Sequence, residues 1–297
     1  MISGILLKRY SGFYYVYAEG RVWECSLRGR FRIRDQEFIT GDRVKILPGT
    51  GNKATIEEVV ERRNSLVRPT IANVDQAFLV FALVSPKPDL NLLDRLILQV
   101  TAAGIKPVLI LTKVDLAQDR KGGAEGLFPA EGLDFYRELG YDVIKVSTKT
   151  GEGIAEVQKF IDGKVSVLAG PSGVGKSSLV NALSPGMELK TGEISQKLKR
   201  GRHTTRHVEL MVCGEGLLAD TPGFSSLYLP SMKREELSAY FNEFEQAPGA
   251  CRFANCQHHK EPDCAVKAAV EAGMIQSSRY EHYCQFLEEV IAAERRY

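Results

Sequence analysis

The chain is short of several things, and each shortage excludes a class. Its 297 residues hold six cysteines and one tryptophan, too few thiols for a disulfide scaffold. The longest apolar run is Ala77–Val84, far below the roughly 18 residues that span a bilayer. Lys8 and Arg9 follow a very short apolar stretch at the amino terminus, which is not a signal-peptide pattern. No internal repeat or low-complexity tract is present. With 44% hydrophobic and 26% charged residues, the composition excludes disorder, collagen and coiled coil. Neither sign of charge dominates: 39 Lys+Arg face 37 Asp+Glu, a formal net charge of +2. That balance argues against a chain that is basic throughout.

Three regions are present, as the length allows. Residues 1–64 read as short strands, Ile5–Tyr17, Val22–Leu27, Asp42–Leu47 and Ala54–Val60, separated by turn residues. That spacing points to a small barrel such as an OB fold. Arg28, Arg30, Arg32 and Arg34 alternate and share one face if that stretch is extended. In residues 65–228 the apolar runs Ala77–Val84, Val108–Leu111, Val143–Val146 and Val165–Ala169 alternate with helical patterns such as Leu90–Ala103. This implies βαβ units and a mostly parallel sheet, an α/β domain. Residues 229–297 lack strand patterns and read as helices at Lys233–Glu245, Cys264–Glu271 and Ser277–Arg296.

The same division resolves the small net charge. Residues 1–65 hold 12 Lys+Arg against 8 Asp+Glu, and residues 229–297 hold 8 against 11. Lys190, Lys197, Lys199, Arg200, Arg202 and Arg206 face Glu193 alone in one polar stretch. Basic character therefore gathers on the barrel and on that stretch, where phosphate contacts would supply salt-dependent affinity for RNA.

After the apolar run Val165–Ala169 comes Gly170-Pro171-Ser172-Gly173-Val174-Gly175-Lys176-Ser177-Ser178, a phosphate loop in the context of strand before and helix after. Its glycines let backbone N–H groups turn inward around a phosphate, and the helix start adds its dipole. Lys176 is expected to reach the β- and γ-phosphates and Ser177 to ligate Mg²⁺. Asp220-Thr221-Pro222-Gly223 follows a second apolar run; Asp220 suits water-mediated Mg²⁺ ligation and Gly223 a backbone N–H to the γ-phosphate. Between them lie Thr204 and Thr205, either of which can close over Mg²⁺ when a γ-phosphate is present, with Thr205 favoured.

Leu111-Thr112-Lys113-Val114-Asp115 ends another apolar run. A carboxylate at Asp115 can accept both the N1–H and N2–H₂ donors of guanine, a pair adenine lacks. The Lys113 stem can lie along the base, and Ser147-Thr148-Lys149 would offer backbone N–H groups to guanine O6. GTP is therefore the expected nucleotide. These base-reading segments precede the phosphate loop, the reverse of an ordinary GTPase, as a circular permutation would produce. The position after Gly223 is Phe224, which cannot orient a water as the glutamine of many GTPases does. Either His203 substitutes as a catalytic group or a partner completes the site.

Cys251, Cys256, His258 and Cys264, with His259 as an alternate, lie within fourteen residues. Cys₃His is a closed structural zinc set, and such a cluster fits a reducing compartment. Cys25, Cys213 and Cys284 sit in apolar contexts and are expected in the core.

In this order, Thr112–Asp115, Ser147–Lys149, Gly170–Ser178, Thr204–Thr205, Asp220–Gly223, then Cys251 to Cys264, the chain resembles the bacterial RsgA (YjeQ/YloQ) family throughout its length. The resemblance implies an OB domain at 1–64, a circularly permuted P-loop GTPase domain at 65–228 and a helical zinc domain at 229–297. It also implies one structural Zn²⁺, Mg²⁺ and GTP/GDP, a hydrophobic residue in place of glutamine as at Phe224, and a cytoplasmic monomer. The implied partner is the 30S ribosomal subunit with its 16S rRNA, whose late maturation such a protein assists and which stimulates its slow turnover. The departure is Thr112, where many GTPases carry asparagine; a weaker contact is expected there. The alternative is a permuted GTPase or a nucleotide-gated RNA-binding module acting on another RNA such as tRNA.

Overall fold

The computed structural model describes residues 1–29, 37–67, 69–118, 135–184, 208–220 and 229–295. Five strands close an amino-terminal barrel: β1 (Ile2–Tyr10), β2 (Phe13–Ala18), β3 (Arg21–Leu27), β4 (Arg43–Pro48) and β5 (Lys53–Val59), in the order β1-β2-β3-β5-β4. The expected single strand Ile5–Tyr17 is two strands. Ser11 and Gly12 both take positive φ, 50° and 83°, forming a two-residue hairpin turn that sets Tyr10 opposite Phe13. Inside, Leu6, Val16, Trp23, Cys25, Ile46 and Ile56 are fully buried. Arg28 pairs with Glu57, whereas Arg30, Arg32 and Arg34 lie outside the described residues.

A small hairpin, β6 (Ser65–Val67) and β7 (Thr70–Ala72), leads into a six-stranded sheet. Its strands are β8 (Gln76–Ala82), β9 (Lys106–Thr112), β10 (Asp142–Lys145), β11 (Val165–Ala169), β12 (Leu210–Cys213) and β13 (Gly216–Asp220), ordered β10-β9-β8-β11-β13-β12. All pairs are parallel except β12 with β13. The seven residues of β8 are all buried, as a central parallel strand covered on both faces requires. Neither the β6–β7 hairpin nor β12 was expected from the sequence.

Helix α1 (Leu90–Ala102) opens on Asp89, whose carboxylate accepts from the Leu92 N–H at 3.0 Å. It covers one face of the sheet through Leu93, Leu96, Ile97 and Val100. Helices α3 (Ile154–Ile161) and α4 (Lys176–Leu183) cover the other, and the short α2 (Val114–Gln118) follows β9.

The carboxy-terminal region contains no strand among its described residues. The expected helix Lys233–Glu245 is instead a 3₁₀ segment, Arg234–Tyr240, and a single α turn, α5 (Asn242–Glu245). Two carboxylates hold the tighter winding at its start: Glu236 accepts from the Lys233 N–H at 3.0 Å and Glu294 from the Arg234 N–H at 2.9 Å. Helices α6 (Ala265–Glu271) and α7 (Ser277–Glu294) complete the region. No helix of the described residues is long and apolar enough to cross a membrane.

α7 packs on α1 through a charged seam. Arg279 donates to Asp94 at 2.6 Å and to Glu243 at 2.7 Å, all three being buried. Asp94 also accepts from the Tyr136 hydroxyl at 2.5 Å and faces His282 Nδ1 at 2.6 Å. Around it, Arg95 forms a two-pronged pair with Glu289 and lies 4.6 Å over the Phe286 ring.

Candidate functional site

The segments expected to read the nucleotide meet at the carboxyl ends of the sheet strands. Thr112–Asp115 leaves the carboxyl end of β9, Ser147–Lys149 follows β10, the phosphate loop follows β11, and Asp220 ends β13 in register with Leu168. Ligands of open α/β sheets bind outside the carboxyl ends of the strands, and the parallel pairing delivers all four segments there.

Gly170 takes φ 138°, and a Cβ on it would stand 2.1 Å from the Val80 carbonyl oxygen, so the loop passes β8 with no room for a side chain. Gly173 and Gly175 also have positive φ. Gly175 caps α4 and, having no side chain, makes no side-chain hydrogen bond to the helix start, which suits a cradle of backbone N–H groups for an anion. Lys176 Nζ bridges the Gly170 and Pro171 carbonyls at 2.8 and 2.6 Å, holding the ammonium across the loop. Ser172 and Val174 complete the turn; Val174 is buried.

The loop expected to read the base is fastened to the loop after β11. The Thr112 hydroxyl, 2% exposed, donates to the Val174 carbonyl. Lys113, left-handed at φ 61°, donates from Nζ to the Gly173 carbonyl at 2.7 Å and to the Ser85 carbonyl. The sequence led us to expect a weaker contact at Thr112; the shorter side chain supplies its own tie. Thr112→Val would leave the Val174 carbonyl without this donor, a loss of about 1–3 kcal/mol. GDP affinity should then fall roughly tenfold, with Thr112→Ser retaining it, as a fluorescent-nucleotide titration would read.

Asp115 is oriented by the buried Ser147, whose hydroxyl donates to its Oδ1 at 2.8 Å. This use of the Ser147 side chain is not legible in the tripeptide Ser147-Thr148-Lys149. The Ser147 N–H is committed to the Glu152 carbonyl at 3.0 Å, so Thr148 and Lys149 are the candidates for donating to a base. His203, Thr204, Thr205, Gly223 and Phe224 lie outside the described residues.

The second cluster forms where the loop before α6 folds back. The ligand atoms of Cys251, Cys256, His258 and Cys264 lie within 4.8 Å of one another. His258 Nδ1 is 3.3 Å from the Cys264 sulfur and 3.6 Å from that of Cys251, and those two sulfurs are 3.9 Å apart. Tetrahedral zinc with Zn–S near 2.3 Å sets such separations at about 3.5–3.8 Å, so the donor set fits the ion. Cys264 caps α6, as expected. Burial favours a higher pKa at Cys251, but N–H groups of Ala265 and Val266 and the neighbouring thiols lower it overall. Burial pushes the Cys256 thiol up to about 12. Burial also lowers His258, favouring the neutral imidazole that binds metal. The Tyr280 and Tyr283 hydroxyls donate to the His258 and Gln257 carbonyls at 2.8 and 2.7 Å, fixing the turn. His259 stands apart, 3.7 Å from Glu288. Cys25 and Cys213 are buried in the core and Cys284 is half-buried.

Family models match two stretches of the chain: the RsgA N-terminal domain over residues 3–56 and the RsgA GTPase over residues 59–230. A protein of Moorella thermoacetica named small ribosomal subunit biogenesis GTPase RsgA is 52% identical over 295 residues, covering 99% of each chain. A Geobacillus protein of the same name is 46% identical over the full length of both. Among solved structures, YjeQ from Thermotoga maritima superposes with a TM-score of 0.79 at 35% identity, covering 98% of each chain. YloQ, described as a circularly permuted GTPase, gives 0.78 at 38%, covering 99% of this chain and 96% of that one. With its closed barrel, its permuted order of guanine and phosphate segments and these full-length matches, the chain belongs to the RsgA GTPase family.

Proposed function

We propose that this GTPase is a nucleotide switch that binds the 30S ribosomal subunit through its 16S rRNA and assists late maturation, working as a cytoplasmic monomer with slow intrinsic turnover. The observation that carries the reading is the full-length similarity to chains named for small-subunit biogenesis. The barrel supports it. Tyr10 and Phe13 face each other at the tip of the β1–β2 hairpin, 68% and 43% exposed, beside the exposed Arg9. Exposed rings next to a guanidinium are what unpaired bases stack on.

In this reading residues 1–64 contact RNA, 65–228 hold the nucleotide and 229–297 form the zinc domain. Asp115, held by Ser147, reads guanine, with Thr148 and Lys149 as donors to O6. Lys176 and the loop N–H groups hold the phosphates, and Gly223 donates to the γ-phosphate. Ser177 and Thr205 would hold Mg²⁺, with Asp220 acting through water and Thr204 as the neighbouring alternative. The ion supplies charge neutralisation between the β- and γ-phosphates. His203 is the candidate to orient the attacking water, a task Phe224 cannot perform. Cys251, Cys256, His258 and Cys264 would hold one structural zinc ion.

GTP turnover measured alone and with purified 30S subunits, 50S subunits or tRNA tests the proposal. We expect 30S subunits alone to raise the rate by at least about tenfold, the response of a slow GTPase completed by a partner. Equal rates in all four mixtures would sink it, and stimulation by tRNA alone would transfer the partner.

A further inference from the structure

Contacts run without a break from α1, the helix that covers the GTPase sheet, to the metal cluster. Asp94 of α1 accepts from Arg279 of α7 at 2.6 Å. The Arg279 guanidinium lies 4.6 Å over the Phe241 ring, and Phe241 stacks on Phe244 at 5.3 Å. Phe244 in turn meets the His258 imidazole edge to face at 5.5 Å. Tyr283 packs nearly at right angles on both Phe241 and Phe244. Asp94, Arg279, Phe241, Phe244 and Tyr283 are all buried, so this path is packed interior.

One helix serves both ends of it. Arg279 and His282 of α7 bond Asp94, while Tyr280 and Tyr283 donate to the His258 and Gln257 carbonyls at 2.8 and 2.7 Å. Residues three apart share a side of a helix, so the two pairs define adjoining sides of α7, one on the GTPase domain and one on the metal turn. That turn holds His258 in the left-handed region, φ 55°, which a non-glycine residue keeps only where its surroundings fix it. Groups behind a ligand set its orientation and the affinity of the site.

We infer that α7 is a strap that couples metal retention at Cys251, Cys256, His258 and Cys264 to the docking of the carboxy-terminal region on α1. Asp94, in the GTPase domain, is thereby a positioning residue for the ligand His258. The inference rests on the cluster holding zinc. Coupling between two equilibria is reciprocal: loosening the seam weakens the hold on the ion, and removing the ion loosens the seam.

The experiment loads the full chain with Zn²⁺ and titrates it with a competing chelator, which reads affinity for the ion independently of GTP turnover. We expect Asp94→Asn to weaken Zn²⁺ binding about tenfold, and Tyr280→Phe, which deletes the donor to the His258 carbonyl, to do the same. The two combined should lose clearly less than the product of the separate losses, because both loosen one strap. Arg62→Met is the control: it breaks the 2.7 Å pair with the buried Asp42, beside the barrel. It should leave Zn²⁺ affinity within about twofold, as a distant site does. In the reciprocal measurement, stripping Zn²⁺ from the parent should raise hydrogen exchange in α7 and α1 at least about fivefold while β1–β5 stay protected. Unchanged affinity in Asp94→Asn would overturn the inference. So would an equal loss in Arg62→Met, losses that simply multiply in the double variant, or unchanged exchange in α1. A parent chain that retains no Zn²⁺ would remove the zinc reading itself, and the inference with it.

Discussion

Asp115→Asn should lose roughly a thousandfold in affinity for GDP and GTP and gain affinity for xanthine nucleotides. Asp115 is positioned by the Ser147 hydroxyl at 2.8 Å and in our reading accepts guanine N1–H and N2–H₂. Charge-assisted hydrogen bonds contribute about 1.5–3 kcal/mol each, so two of them account for the loss. Asparagine makes matters worse by turning one acceptor into a donor that faces the 2-amino group. Xanthine carries an oxygen at that position while keeping N1–H, which matches asparagine's one acceptor and one donor. A site that leaves a buried polar group unpaired discriminates strongly. Competition titrations with GDP and XDP read the result directly. A variant that kept GDP within tenfold of the parent would remove Asp115 from the base site.

The second large effect lies far from the nucleotide. Arg279→Met should destabilise the protein by about 3–5 kcal/mol, the range for breaking a buried ion pair from one side. The guanidinium is held between Asp94 and Glu243 and lies 4.6 Å over the Phe241 ring. Burial opposes its charge, but the two carboxylates outweigh burial and hold its pKa well above the usual value. Methionine fills much of the space, takes the guanidinium from Glu243 and leaves Asp94 only the Tyr136 hydroxyl and His282. Adding Asp94→Asn and Glu243→Gln to Arg279→Met should therefore recover part of the loss, a coupling that independent sites would not show. Urea denaturation of the single and triple variants measures both quantities. A single-variant loss below 1 kcal/mol would mean that the seam between α1 and α7 is not held by charge.

The nucleotide elements were legible because each is local. A phosphate loop declares itself in nine consecutive residues, and the strands feeding the site are continuous apolar runs. The thiols and His258 of the metal cluster fall within fourteen residues. What escaped depends on distance along the chain. Asp94 sits in Leu90–Ala102, which reads as an ordinary amphipathic helix, and its partner Arg279 is 185 positions away. The hydroxyl of Ser147 holds Asp115 from 32 positions away, invisible in a tripeptide read for its backbone N–H groups. Edge strand β12 has only four residues, Leu-Met-Val-Cys, too few to show a period. At Arg234–Tyr240 the helical pattern was present, and the sequence alone does not separate the 3₁₀ winding seen there from an α-helix.

Thr112 and Lys113 join the loop after β9 to the loop after β11 through the Val174 and Gly173 carbonyls, so in our reading both parts of the nucleotide would meet one connected surface. A γ-phosphate can alter a partner's affinity only if the two states differ in their contacts with it. The direct measurement is the affinity of the full chain for purified 30S subunits with a non-hydrolysable GTP analogue and with GDP, at one fixed salt concentration. We expect binding at least about tenfold tighter with the GTP analogue, a coupling of about 1.4 kcal/mol. Equal affinity in the two states would contradict a nucleotide switch.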